Sequence, residues 1–136
     1  MNIIRKGLAA ALGALLAAAP VAAQDLPPVA GKWETGPRDY RFEVELCGPT
    51  GEDFCGWMTY GLDQDPRIQR YVGERVFDAA KRVGPATWKG KLFIAGYQAD
   101  GTITLAEPDR LEIDGCVLFI ICGKFNMYRE GSTIPR

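Results

Sequence analysis

Four acidic side chains set at alternate positions in two short stretches are the first candidates for chemistry: Glu43 with Glu45, and Glu112 with Asp114. Two converging carboxylates could act as a general acid and base. Arg67, Arg70 and Arg75, close in sequence to Tyr71, could grip an anion. The missing residue types narrow the field further. The chain contains no histidine, and its one serine is Ser132, so a Ser-His-Asp triad, a Cys-His nucleophile and a histidine metal site are all excluded. It also carries no glycine-rich phosphate loop and no dinucleotide fingerprint. No catalytic residue, metal site or cofactor is therefore expected, and the chain reads as a non-enzyme.

The strands that carry the carboxylates turn them towards solvent. From Tyr40 the chain alternates, with Tyr40, Phe42, Val44 and Leu46 on one parity and Arg41, Glu43, Glu45 and Cys47 on the other, the period of a half-buried strand. Leu111 and Ile113 alternate in the same way with Glu112 and Asp114, so all four carboxylates belong to a solvated outer face. The arginine set reads as a charged loop and strand edge that keeps the sheet soluble.

Gly48-Pro49-Thr50-Gly51-Glu52-Asp53 is turn chemistry, and the aromatic-rich segment Phe54-Cys55-Gly56-Trp57-Met58-Thr59-Tyr60 after it predicts the second arm of a hairpin. Placing Cys47 opposite Cys55 sets Leu46 against Gly56, Val44 against Met58 and Phe42 against Tyr60, with Trp57 left outside. The other two cysteines, Cys116 and Cys122, bracket the apolar run Val117-Leu118-Phe119-Ile120-Ile121, which is either a plug folded into a barrel end or an exposed lip. Sequential pairing, Cys47 to Cys55 and Cys116 to Cys122, is the preferred one of three connectivities. A four-cysteine zinc site is disfavoured, because both spacings exceed the usual two to four intervening residues.

Further strands are expected from Trp33, through Trp88-Lys89-Gly90-Lys91-Leu92-Phe93-Ile94, Thr102-Ile103-Thr104-Leu105, Arg110-Leu111-Glu112-Ile113-Asp114 and Lys124-Phe125-Asn126-Met127-Tyr128-Arg129. Asp100-Gly101 predicts a tight turn. Residues 68–77 favour a strand, with a short helical turn over residues 75–82 as the competing pattern. About eight short strands without an amphipathic helix point to an all-β antiparallel barrel or sandwich.

The first 23 residues stand apart. Arg5 and Lys6 precede an uncharged Ala- and Leu-rich run, and Val21-Ala22-Ala23 offers a small-residue cleavage signature, so residues 1–23 are read as a signal peptide and 24–136 as a single domain. That places the mature protein in the periplasm or outside the cell, where disulfides persist, with no stable membrane anchor. The net charge of the whole chain is −1, and the leader holds basic but no acidic residues, so the remainder is more acidic still. Nucleic acid is not an expected partner.

Gly31-Lys32-Trp33 resembles the lipocalin Gly-x-Trp motif, and Arg129 is similar in placement to the arginine that in lipocalins packs across that tryptophan at the closed barrel end. The resemblance implies a cation over an indole face that ties the first strand to the last. Over residues 31–129 the chain resembles a bacterial exported, lipocalin-like family catalogued as domain of unknown function 2147. The matching features are Gly-Lys-Trp, the Cys47 and Cys55-Gly56 hairpin, Arg70 through Val76, Trp88-Lys89-Gly90-Lys91-Leu92, Leu111 through Val117, and Tyr128-Arg129. The family's closing strand commonly alternates threonines around a glutamine and a tryptophan, where this chain has Lys124-Phe125-Asn126-Met127-Tyr128.

The expected product is a small, disulfide-stapled, lipocalin-like β-barrel of about eight strands that binds a small apolar or amphipathic ligand. Its ligand-lining set would be Phe42, Val44, Leu46, Met58, Tyr60, Leu92, Ile94, Ile103, Leu105, Leu111 and Ile113. An eight-stranded barrel can equally be filled by such side chains. In that case it would serve as an envelope or protein-interaction module of unknown partner, through Trp57 or the 117–121 lip.

Overall fold

The computed structural model describes residues 26–94, 97–117 and 121–136; the expected signal peptide and the apex of the 117–121 run lie outside the described residues. Eight antiparallel strands form a closed barrel in sequence order. They are β1 (Gly31–Thr35), β2 (Tyr40–Cys47), β3 (Asp53–Gly61), β4 (Arg75–Gly84), β5 (Thr87–Ile94), β6 (Tyr97–Glu107), β7 (Arg110–Val117) and β8 (Ile121–Arg129), with one helical turn, α1 (Pro66–Gln69), between β3 and β4.

Closure depends on β1 meeting β8, where Trp33 faces Arg129 in register. The Arg129 guanidinium carbon lies 4.3 Å from the centre of the Trp33 ring. Its nitrogens donate to the carbonyls of Pro28, Ala30 and Pro108 and to the Asp109 carboxylate at 2.7 to 3.2 Å. Gly31, at φ +134°, is required here, because a Cβ would come within 2.9 Å of Arg129 Nη1. The indole N–H of Trp33 donates to the Val29 carbonyl at 2.8 Å, which draws the lead-in segment under the barrel.

Trp33, Val29, Phe54 and Trp88 have no exposed surface and pack this end shut. From Trp88 an aromatic column runs inward through Phe54 and Phe77 to Phe42, with ring centres 5.4 to 5.7 Å apart. Edge and tilted contacts of this kind suit the ring quadrupoles.

Both disulfides are those expected, Cys47–Cys55 and Cys116–Cys122. The hairpin register differs. Cys47 faces Asp53, so Leu46 lies opposite Phe54, Val44 opposite Gly56 and Phe42 opposite Met58, two residues from the expected pairing. An even shift preserves the parity, so the apolar residues stay inside. A bulge at Thr59 then reverses the parity and sets Tyr60 opposite Arg41. Tyr60 is therefore an outer residue, with the Arg41 guanidinium over its ring at 4.9 Å, and not one of the inward set.

Two other expectations are corrected, and one open alternative is resolved. Asp100-Gly101 is no turn: β6 runs straight through it. Residues 68–77 open with the end of α1, which Asp65 caps and Pro66 initiates, and reach strand only at Arg75. The 75–82 segment is strand rather than helix, but bulges at Val76 and around Ala79 break its period, which leaves Val76, Phe77 and Ala80 all buried.

Gly101 has a structural reason for interrupting a strand. Gly90, Gly101, Gly115 and Gly123 face one another across β5 to β8 in a single row. Leu92 Cδ1 occupies the space above Gly101, 2.4 Å from where a Cβ would sit, and lies 3.7 Å from the corresponding point at Gly115. Nothing comes within 4 Å at Gly123. Gly101→Ala is therefore expected to lower stability by about 1–3 kcal/mol, the usual cost of overpacking, while Gly123→Ala leaves urea unfolding unchanged. Arg129→Ala is expected to cost about 2–4 kcal/mol, from the lost cation–π contact and charge-assisted hydrogen bonds. An unaltered unfolding midpoint in Arg129→Ala would show that the barrel closes without it.

Candidate functional site

The end of the barrel away from Trp33 is bounded by the turn after β1, the segment carrying α1, the end of β5 and the start of β8. The aromatic column stops short of it. Beyond Phe42 and Phe77 a cavity of about 440 Å³ opens, within the size range of small-molecule sites. Its floor is Phe42, Phe77, Leu92 and Met58; its walls include Val76, Phe93, Phe125 and Ile68; Thr35, Asp39, Tyr40, Asn126 and Tyr128 bring the polar atoms.

Each wall residue has a local cause. The Asp65 carboxylate accepts from the Arg67 backbone N–H at 2.8 Å and also pairs with its guanidinium, which holds the carboxyl down to about 2 and fixes the start of α1. Gln69 donates to the carbonyls of Gly61 and Asp63 at 3.0 and 2.7 Å, locking the helical turn so that Ile68 meets the cavity. The Asp39 carboxylate accepts from the Thr35 hydroxyl at 2.5 Å, which shapes the turn after β1. Burial, together with the Asp63 and Asp39 carboxylates, pushes the Tyr40 phenol above its ordinary value, so it stays protonated.

The expected ligand-lining residues separate by depth. Phe42, Met58 and Leu92 line the cavity. Val44, Ile103, Leu111 and Ile113 are buried in the core, and Leu46 and Leu105 pack against it. Tyr60 is outside, as described above, and the Ile94 side chain is not among those described. Phe77, Phe125 and Asn126 were not foreseen as lining residues. Alternation with Met127 signals Phe125, but nothing local singles out Asn126, whose parity is that of the outer face.

The four acidic candidates do not converge. Glu43 and Glu45 lie on β2, three strands from Glu112 and Asp114 on β7 through the closed β1–β8 seam. Glu112 pairs with Arg110 at 2.7 Å, and that hydrogen bond, against an opposing effect of burial, holds its carboxyl below the usual range. The arginines are likewise engaged separately: Arg67 with Asp65, Arg70 over Tyr71 at 5.1 Å, and Arg75 with Asp78, the Trp57 ring and the sulfurs of the Cys47–Cys55 disulfide. A second depression, about 640 Å³ and wide open, runs along the outer side of the glycine row between Lys89, Asp100, Asp114 and Lys124. Its mixed charges and shallow form give a ligand little to bury against. Among the described residues, no cluster of three or more His, Cys, Asp or Glu could hold a metal ion, and no helix is long and apolar enough to cross a membrane.

No protein-family model, curated protein or solved structure matches the chain.

One carboxylate braces the rim. Glu34 is only 5% exposed and accepts from Arg38 at 3.1 Å and Arg136 at 2.7 Å. Arg136 also donates to the carbonyls of Thr35 and Gly36 and stacks over Tyr128, so it straps the seam beside the cavity. Burial pushes the Glu34 carboxyl up, but the hydrogen bonds and charges of Arg136 and Arg38 outweigh it and hold the group below its ordinary 4.5. Because the folded value is the lower one, the strap's contribution is complete above that pH and disappears as acid titrates Glu34 through its depressed value. Glu34→Gln is expected to lower the melting temperature at pH 7 and to flatten its fall between pH 5 and pH 3. Parallel acid limbs in thermal melts of the two proteins would assign acid lability to other carboxylates.

Proposed function

We propose that the protein is an exported, non-enzymatic binding protein that holds a small apolar or amphipathic ligand in the cavity at the open end of its barrel, and that it is a lipocalin-like member of the family catalogued as domain of unknown function 2147. One observation carries the binding reading. The barrel is packed solid at the Trp33 end and stops being packed at Phe42 and Phe77, leaving about 440 Å³ walled by aromatic and aliphatic side chains with few polar groups. An apolar concavity with a few placed polar atoms is the usual form of a small-molecule site.

Export rests on the leader pattern and on two disulfides in a small domain. The alternative, a filled barrel acting as an envelope or protein-interaction module, draws less support. Trp57, one of its two proposed contacts, is half-buried with Arg75 over its ring at 5.8 Å, which breaks up any apolar outer patch there, and the apex of the other, the 117–121 lip, lies outside the described residues.

Titration of the mature protein with N-phenyl-1-naphthylamine is expected to give saturable one-to-one fluorescence enhancement, with the same stoichiometry in native mass spectrometry. Ile68→Trp, which adds bulk at the wall contributed by α1, is expected to weaken probe binding about tenfold, the order of effect of altered packing in an apolar pocket, while the melting temperature stays close to that of the parent. Absence of saturable binding in the parent protein would refute the reading.

A further inference from the structure

Among the described residues that line the cavity, Asp39 alone carries a charge. It sits half-buried in the turn between β1 and β2, and its carboxylate takes one side-chain hydrogen bond, from the Thr35 hydroxyl to Oδ1 at 2.5 Å. The cations around the mouth are committed elsewhere. Arg38 and Arg136 pair with Glu34 at 3.1 and 2.7 Å, Arg41 lies between Glu34 and Glu130, and Arg67 pairs with Asp65. Asp39 therefore meets no counter-charge from the described residues. A carboxylate that has lost part of its water without gaining a cation attracts a positive charge brought by a ligand. The Tyr40 phenol in the same wall registers that field: burial first, then the Asp63 and Asp39 carboxylates, raise it above its ordinary value.

The wall also offers ring faces. Among the described residues, arginines already lie over Trp33, Trp57, Tyr60, Tyr71 and Tyr128. Of the rings that line the cavity this takes only Tyr128, and leaves Tyr40 and four phenylalanines without a cation. An ammonium is drawn to the negative face of such a ring, the more so away from water. An anionic head would instead give up its water, find no cation among the lining residues and face Asp39.

We infer that the cavity selects amphiphiles with a positively charged amine or quaternary ammonium head, the apolar body lying on Phe42, Phe77 and Leu92 and the head resting at the mouth between Asp39 and the Tyr40 ring. This rests on the ligand-binding reading of the cavity but fails separately from it.

The test is calorimetric titration of the mature protein with three naphthyl probes of similar shape: (2-naphthylmethyl)trimethylammonium, neutral 2-(methoxymethyl)naphthalene and anionic 2-naphthylacetate. The ammonium is expected to bind about tenfold tighter than the neutral probe, a difference of about 1.4 kcal/mol, with 2-naphthylacetate weakest. In Asp39→Asn, whose amide oxygen can still accept from Thr35, the preference for the ammonium is expected to fall to about twofold, the part that a ring face supplies. Should that variant fail to fold, the parent protein answers the same question, because the preference is expected to shrink as salt is raised from about 0.01 M to about 1 M and screens the carboxylate. Equal binding of the ammonium and neutral probes, tightest binding of 2-naphthylacetate, or a preference for the ammonium that neither Asp39→Asn nor salt reduces would each overturn the inference. Saturable binding of neutral N-phenyl-1-naphthylamine alongside any of these leaves the cavity reading standing. Failure of that probe and of all three naphthyl compounds would overturn both.

Discussion

The fold depends first on a guanidinium lying on an indole. Arg129 belongs to the last strand, Trp33 to the first, and their stacking joins the two edges that an eight-stranded sheet would otherwise expose. The same guanidinium reaches carbonyls in the lead-in segment and in the turn before β7, so three parts of the chain distant in sequence, the lead-in with β1, that turn and β8, share one cation. An arginine is needed for this: its planar fork presents donors in several directions while its face stays on the ring, which an ammonium does not do. Once the seam is fixed, Val29, Phe54 and Trp88 have a closed end to fill.

The opposite end owes its form to residues without side chains. Along β5 to β8 the inner positions of one row are all glycine, and Leu92 folds over Gly101 towards Gly115. Glycine in a strand interior weakens the strand but permits a tight bend and close approach, both of which a small barrel requires at a corner. The bulge that sets Ala79 at φ +49° does related work in β4, since it brings Ala80 so close to Gly90 that a Cβ there would sit 2.7 Å from the Ala80 Cα. Side chains are subtracted where the barrel bends, and Leu92 fills part of the space over Gly101 before it reaches the cavity wall.

How much of this was legible follows from which signals are local. Alternation in β2, β5 and β7 is uninterrupted, so the strands, their buried faces and the outer carboxylates could be read directly. The cysteine spacings gave both disulfides. The β2–β3 register differs by two from the one a facing pair of cysteines predicts, because Cys47 lies opposite Asp53 and the sulfurs meet on the diagonal. Bulges defeated the rest: one extra residue at Thr59 put Tyr60 outside, and two in β4 made a strand resemble a helical turn. Asp100-Gly101 has the chemistry of a tight turn but serves a tertiary need, the space for Leu92. Asn126 was illegible for the same reason. Its alternation says outer face, and only the shortness of β1, which pairs with β8 no further than Thr35 and Met127, lets that position border a cavity.

That shortness reconciles the two readings that an eight-stranded barrel leaves open. β1 has five residues against nine in β8, so the seam is tied at one end and the turn after β1 stands beside β8 at the other. Where strands pair fully, the interior is a filled core of aromatic and branched side chains; where β1 has ended, the wall is completed by Pro37 from the turn and Ile68 from a helical turn instead. A loop wall cannot interdigitate with strand side chains as another strand would, because its backbone must keep its own hydrogen bonds and follow the surface. The space therefore arises where packing passes from strand to loop, and Asn126, beside that junction, is one of the residues that border it. Filled and hollow are thus properties of two halves of one barrel, set by the length of its first strand.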